Sequence, residues 1–279
     1  MRESEFLALI SLLEDTDPGI EKHVRETLIA MGDEVVPRLE AAWETQTDEH
    51  IQQQLIEIVY EIQSVRTLDA LHTWRESESQ PLLDGWIWIT RHQFAALDTD
   101  RYRNEINRLV NRIWLELRSG MHLTEKLQVI SRMLFVREQF RGNRRTLFDP
   151  QNYFLNGIFD SRRGGPISLN LLYLIICEEL SLPLQGLILP GTGYMVLVHR
   201  DRGQELYVDV FNNGALFFRQ DMIRYLQEIK AEELSPEAYP AATRVEIIQA
   251  LLEHLVRCFD RKKQPEKAQQ FERLRRELE

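Results

Sequence analysis

The side chains that could do chemistry gather around one segment of this sequence. Residues 162–183 read RRGGPISLNLLYLIICEELSLP: two arginines, a glycine pair, a proline, and an apolar stretch that carries Cys177 in its second half. A cysteine acts as a nucleophile when a helix N-terminus or a nearby cation stabilises its thiolate and a base takes its proton. Cys177 lies nine residues beyond Ser168, more than two turns along the expected helix and among apolar neighbours. It reads as a buried structural cysteine. Cys258 also falls in an apolar helical stretch, so the two cysteines show neither a disulfide framework nor metal-ligand spacing, which suits a reducing cytoplasm. Ser168 could attack only with an adjacent base, and no histidine nearby is well placed, since His199 follows an apolar run beside the turn RDRG. A cap or first-turn hydroxyl is the simpler role for Ser168. Tyr194 and Asp209 could form a buried phenol–carboxylate pair, which orients or binds but does not attack. No metal or other cofactor is expected.

These residues need elements to position them. The glycine pair lets the backbone turn tightly or approach another group, and Pro166 suits the first position of a helix. After that helix, LQGLILPGTGYMVLVHRDRGQELYVDVFNNGALFF holds apolar runs of strand length divided by PGTG, RDRG and NNG, an antiparallel meander. RQDMIRYLQEIKAEEL then opens a helical tail with SPEAYPAAT as its hinge. In the last segment Ala268, Phe271 and Leu274 recur every three residues, as on a helix that packs.

The chain has 279 residues, 43% apolar and 28% charged, enough to bury a full core and long enough for two domains. The apolar run at its start is broken by charge and has no small-residue cleavage site, and no apolar run reaches membrane-spanning length, so neither export nor anchoring is expected. Residues 1–60 carry 14 acids and 4 bases, so the whole formal net charge of −10 falls on the first fifth of the chain. That charge repels phosphate backbones and argues against nucleic acid there. One basic island, Arg132, Arg137, Arg141, Arg144 and Arg145, reads as a solvated helix end.

Residues 5–75 repeat weakly at a spacing of 31. Asp17, Ile20, Val24, Leu28 and Met31 superimpose on Asp48, Ile51, Leu55, Val59 and Ile62, and Gly32 breaks the first unit. The pattern resembles HEAT-like stacked helix pairs. Two further helical stretches, one carrying Trp86 and Trp88 and the next Trp114, could complete the layer, with the tryptophans as core or contact residues.

FLNGIFDSRRGGPISLNLLYLIICEELSLPLQGLILPG, followed by YVDVFNNG, resembles the SirB type of the transglutaminase-like superfamily over residues 146–230. Similar Asn-x-x-x-x-x-Arg-Arg-Gly-x-Pro-Ile-Ser-Leu and Asp-Pro-Phe-Asn-Gly-Gly stretches occur there in the same order. The resemblance implies a core of one helix and antiparallel strands. In the wider superfamily it also implies Cys-His-Asp acyl transfer, with the cysteine at the helix start, the histidine on the next strand and the aspartate on the one after. Ser168 and Tyr194 stand at the cysteine and histidine positions, Thr192 follows the Pro-Gly, and Asp209 alone matches. The resemblance thus implies a cleft whose shape is kept while nucleophile and base are missing, lined by Arg162, Arg163, Gly164, Gly165 and Asn213, with the arginines free to bind a carboxylate or to pair with Asp160 or Asp209.

The resulting expectation is an α+β protein in three parts: a HEAT-like region at 1–145, a degenerate transglutaminase-like core at 146–230 and a helical extension at 231–279. It is a cytoplasmic protein-binding scaffold or regulatory module with a protein or peptide partner, acting through neither nucleic acid nor membrane. The alternative is an amide or peptide-bond hydrolase or acyltransferase centred on Ser168.

Overall fold

The computed structural model describes residues 2–14, 17–189, 194–201, 203–228, 230, 233 and 235–279. It divides into two compact units, Met1–Leu71 and His72–Glu279.

In the first unit α1 (Glu3–Ser11), α2 (Pro18–Ala30), α3 (Val36–Thr45) and the first part of α4 (Glu49–Glu76) enclose one apolar core. Phe6, Val24, Leu28, Leu39, Leu55 and Ile58 lie at its centre. The repeated acids do the same job twice. Asp17 accepts the Gly19 amide at 2.8 Å and Asp48 the His50 amide at 2.8 Å, each at the start of a helix. The apolar positions match less well, because Ile51 is buried whereas Ile20 is 37% exposed. The second repeat is also not a helix pair: α4 runs unbroken for 28 residues, with no glycine or proline to end it.

The second unit begins its independent helices with α5 (Leu82–Gln93), α6 (Thr99–Glu116) and α7 (Leu123–Ser131), which continues as a π-helical turn over Arg132–Arg137. Two short strands, β1 (Arg141–Gly142) and β2 (Arg163–Gly164), flank α8 (Leu155–Ser161) and pair in parallel. Every residue of α9 (Pro166–Glu179) from Pro166 to Cys177 is buried, as expected of a helix that is apolar all round. The antiparallel meander follows, with β3 (Gln185–Ile188), β4 (Met195–Asp201), β5 (Gln204–Asp209) and β6 (Ala215–Phe218) in that order across the sheet. Three helices close the chain: α10 (Arg219–Glu228), α11 (Arg244–Arg261) and α12 (Pro265–Glu277).

The packing around α9 draws on both sides of the 146–230 segment. The Trp86 indole N–H donates to the Tyr153 carbonyl at 2.8 Å, and the Leu155 amide donates to the Thr90 hydroxyl at 3.1 Å, so α5 is tied to the residues that lead into α8. From the other side α11 lies against α5, α9 and β3. It is bound to α12 by Phe259 stacked on Phe271 at 5.3 Å, and Ala268, Phe271 and Leu274 are buried as their spacing predicts. Residues 72–145 and 231–279 are thus built into one unit with the meander, where the sequence suggests three successive parts. Trp114 departs from the expected contact role: it is 63% exposed on α6. No helix among the described residues is long and apolar enough to cross a membrane.

Candidate functional site: the start of α9

Gly165 caps α9, and Pro166 occupies its first turn. The Gly165 amide donates to the Asn152 carbonyl at 2.9 Å and to Ser168 Oγ at 3.0 Å. The Ser168 hydroxyl in turn donates to the Asn152 carbonyl at 2.5 Å. Ser168 is fully buried, and its proton and a lone pair are both committed to main-chain groups. Such a hydroxyl staples a helix start to the preceding loop; it has no base to activate it among these partners.

The glycine pair serves close packing. A Cβ on Gly165 would stand 2.5 Å from the Tyr153 ring, and one on Gly164 would stand 2.8 Å from Leu169 Cγ. Both glycines are buried, so they do not line an open surface as the motif suggests. Tyr153 holds its own place by donating its phenol to the Leu147 carbonyl at 3.1 Å and packing on the His254 ring at 5.4 Å. Burial pushes that phenol far above its ordinary range.

The arginine pair splits. Arg162 ends α8 in the left-handed region at φ 56°. Its guanidinium sits 4.7 Å over Phe140 and 5.6 Å over Phe159, 3.9 Å from the Glu105 carboxylate. Asp160, one of its expected partners, is taken by Arg101 at 2.9 Å. Arg163 is exposed on β2 opposite Arg141 on β1, so the basic island is no simple helix end: Arg132 and Arg137 sit in the π-helical turn and pair with Glu116, while Arg141 has moved onto a strand.

Asp209 closes β5 and caps the turn that follows it. Its Oδ1 accepts the Asn212 amide at 3.1 Å and its Oδ2 accepts the Asn212 side-chain amide. These bonds to Asp209 come from the turn and not from the arginine pair. Asn213 is exposed at φ 59°, with its amide donating to the Val210 carbonyl. Tyr194 is half-buried at the entry to β4. Tyr194 and Asp209 both contribute to the surroundings of Tyr225, whose phenol is raised by burial first and by these neighbours after it. Thr192 lies outside the described residues.

Both thiols are sealed. Burial pushes Cys258 up to about 12 and Cys177 higher still, so neither ionises near neutrality. No group of three or more His, Cys, Asp or Glu among the described residues could hold a metal ion.

Sequence reasoning passed over Asn152, Tyr153 and Asn170. Asn170 is buried on α9, and its Nδ2 donates to the Pro166 and Met195 carbonyls, both at 2.8 Å, fastening the helix to β4. An amide inside the apolar run ISLNLLYL was a visible signal, since a buried polar side chain requires partners. Asn152 and Tyr153 carried no comparable mark, because their role depends on where the loop folds.

A model of the transglutaminase-like superfamily core matches residues 100–253, from α6 into α11 and wider than the motif-bearing segment. Among curated proteins, a UPF0162 protein of Xylella fastidiosa is 29% identical over 165 residues, covering 59% of this chain and 54% of that protein. A UPF0162 protein of Vibrio cholerae is 27% identical over 135 residues, 48% of this chain and 50% of that protein. Mouse F-box only protein 21 is 22% identical over 139 residues, 48% of this chain and 22% of that protein. The chain spans about half the length of the bacterial relatives it matches. No solved structure matches it.

Proposed function

Given that the chain belongs to the transglutaminase-like superfamily, we propose that it is a SirB-type member that has kept the superfamily's helix start and given up its acyl transfer. Its role is to bind a protein segment as a scaffold or regulatory module of the cytoplasm, with the helical first unit as an adaptor. The observation that carries this reading is Ser168. At the position where the wider superfamily presents a cysteine, the side chain is fully buried and hydrogen-bonded to the Gly165 amide and the Asn152 carbonyl. Acyl transfer needs nucleophile and base within hydrogen-bond reach of each other, with the reacting carbonyl admitted between them. A sealed hydroxyl meets none of these conditions. The Asp209 carboxylate, bonded to Asn212, orients a turn.

The test has two arms. Incubation with a panel of glutamine amides, esters and peptides should give no hydrolysis and no amine incorporation. A pull-down with the full chain as bait should recover a protein partner. Multiple turnovers abolished by Ser168→Ala would overturn the scaffold reading and establish a Ser168-centred hydrolase or acyltransferase in its place.

A further inference from the structure

We infer that Arg141 and Arg163 form a carboxylate-reading face that holds an acidic peptide segment. This rests on the binding role proposed above and gives the partner a chemistry.

β1 and β2 pair in parallel with Arg141 opposite Arg163 and Gly142 opposite Gly164. Register partners in a sheet project to the same side, and alternate residues to opposite sides. The burial follows that rule, with both arginines exposed while Gly164 is buried and Gly142 half-buried. Two guanidinium stems therefore leave one face of a two-residue bridge, on strands roughly 5 Å apart. Like charges directly opposite each other weaken a strand pair.

The chain neutralises such charge elsewhere. Arg25 is held by Glu57 and Glu61, Arg112 by Glu138, and Arg132 and Arg137 by Glu116. Among the described residues no carboxylate pairs with Arg141 or Arg163. Arg141 reaches the Gln139 side-chain oxygen, whereas Arg144 lies 5.2 Å over the Phe211 ring on the Gly142 side of the bridge. Here two arginines stand opposite each other across a strand pair with no carboxylate between them.

The face is also firmly mounted. The Arg141 amide donates to the Arg162 carbonyl and the Asn143 amide to the Gly164 carbonyl, both at 2.9 Å. A Cβ on Gly142 would stand 2.6 Å from the Phe211 ring, so the bridge is pressed against the turn that carries Asn212 and Asn213, both exposed. Guanidinium forks match carboxylates bidentately. Two arginines without a carboxylate partner suit a short acidic segment better than a phosphate backbone, which needs many cationic contacts.

The test uses the full chain and a fluorescein-labelled hexaglutamate peptide, with a hexaglutamine peptide and a single-stranded oligonucleotide as comparators, read by fluorescence anisotropy at low and at physiological ionic strength. Hexaglutamate should bind and hexaglutamine should not. Arg141→Gln and Arg163→Gln should each weaken binding by about tenfold, while Arg118→Gln, an exposed arginine elsewhere, leaves it within about twofold. Without peptide, Arg141→Gln should melt at or above the wild-type temperature, since a like-charge contact is relieved. Equal weakening by Arg118→Gln, tighter binding of the oligonucleotide, no binding of hexaglutamate, or a lowered melting temperature for Arg141→Gln would each overturn the inference. Amide turnover would remove the scaffold reading and leave these binding results standing. Loss of the arginine dependence would remove this inference and leave a recovered partner standing.

Discussion

Replacing Gly165 with alanine adds one methyl group at the tightest point of the site. The backbone there is extended, at φ −81° and ψ 174°, so alanine can adopt it without torsional strain and the whole cost is steric. The new Cβ would meet Tyr153 Cε1 and Cζ at 2.5 Å and its oxygen at 2.8 Å. The ring must recede by about 1 Å to reach ordinary contact near 3.5 Å. It is 1% exposed, packed on His254 and anchored by its hydrogen bond to the Leu147 carbonyl, so it cannot swing into solvent. Overpacking of this kind costs about 1–3 kcal/mol, and loss of the buried phenol bond adds about 1 kcal/mol. The sum, about 2–4 kcal/mol, corresponds to roughly 4–16 °C in melting temperature for a unit of this size. Thermal melting and urea unfolding of the wild type, Gly165→Ala and the double variant Gly165→Ala with Tyr153→Leu measure it. The double variant should show part of the loss relieved, because the methyl then occupies space the ring has vacated. An unchanged midpoint for Gly165→Ala would refute the claim that this glycine exists to admit the Tyr153 ring, and would return it to the role of an open cleft floor.

Three other outcomes follow from the same geometry. Iodoacetamide should label neither Cys177 nor Cys258 rapidly in the native protein at neutral pH, since burial holds both thiols protonated; fast stoichiometric labelling would contradict this. Asp209→Ala should lower stability by about 1 kcal/mol through loss of the Asn212 cap, and Asp209→Asn by less, because an amide oxygen can still accept that N–H; equal losses in urea unfolding would show that the charge, not the cap, matters. Burial lowers His92 from its ordinary 6.5 to about 4. The unfolded imidazole therefore takes up a proton before the folded one can, so stability present above pH 6.5 is lost as pH falls from there towards 4, by about 2 kcal/mol between roughly pH 7 and pH 5. His92→Gln should flatten that slope, and an unaltered slope would place the acid sensitivity elsewhere.

Much of this molecule is written in local pattern. Pro166 after a glycine pair, and a run apolar on every side, dictate a buried helix that starts where α9 starts. The alternation of apolar runs with PGTG, RDRG and NNG dictates the meander. The period-three spacing of Ala268, Phe271 and Leu274 dictates a packed terminal helix, and Asp17 and Asp48 mark helix starts by their capping chemistry alone. Each of these depends on residues within a few positions of one another, which is why it can be read from the chain.

What the tertiary structure decided depends on residues far apart. Trp86 and Thr90 share a unit with Tyr153 and Leu155, to which they bond across some 65 positions, and nothing in those side chains names their partners. The motif RRGG looked like a ligand surface, yet its glycines yield to Tyr153 and Leu169, and Arg162 turns to Glu105. Ser168 looked like a possible nucleophile until the loop at Asn152 closed over it. Only Arg163 stayed exposed, set opposite an Arg141 that sequence assigned to a helix end. Hydrogen bonds and contact distances of this kind form when separate segments meet. Local sequence therefore states which groups exist, while folding settles which are consumed by packing and which remain to bind.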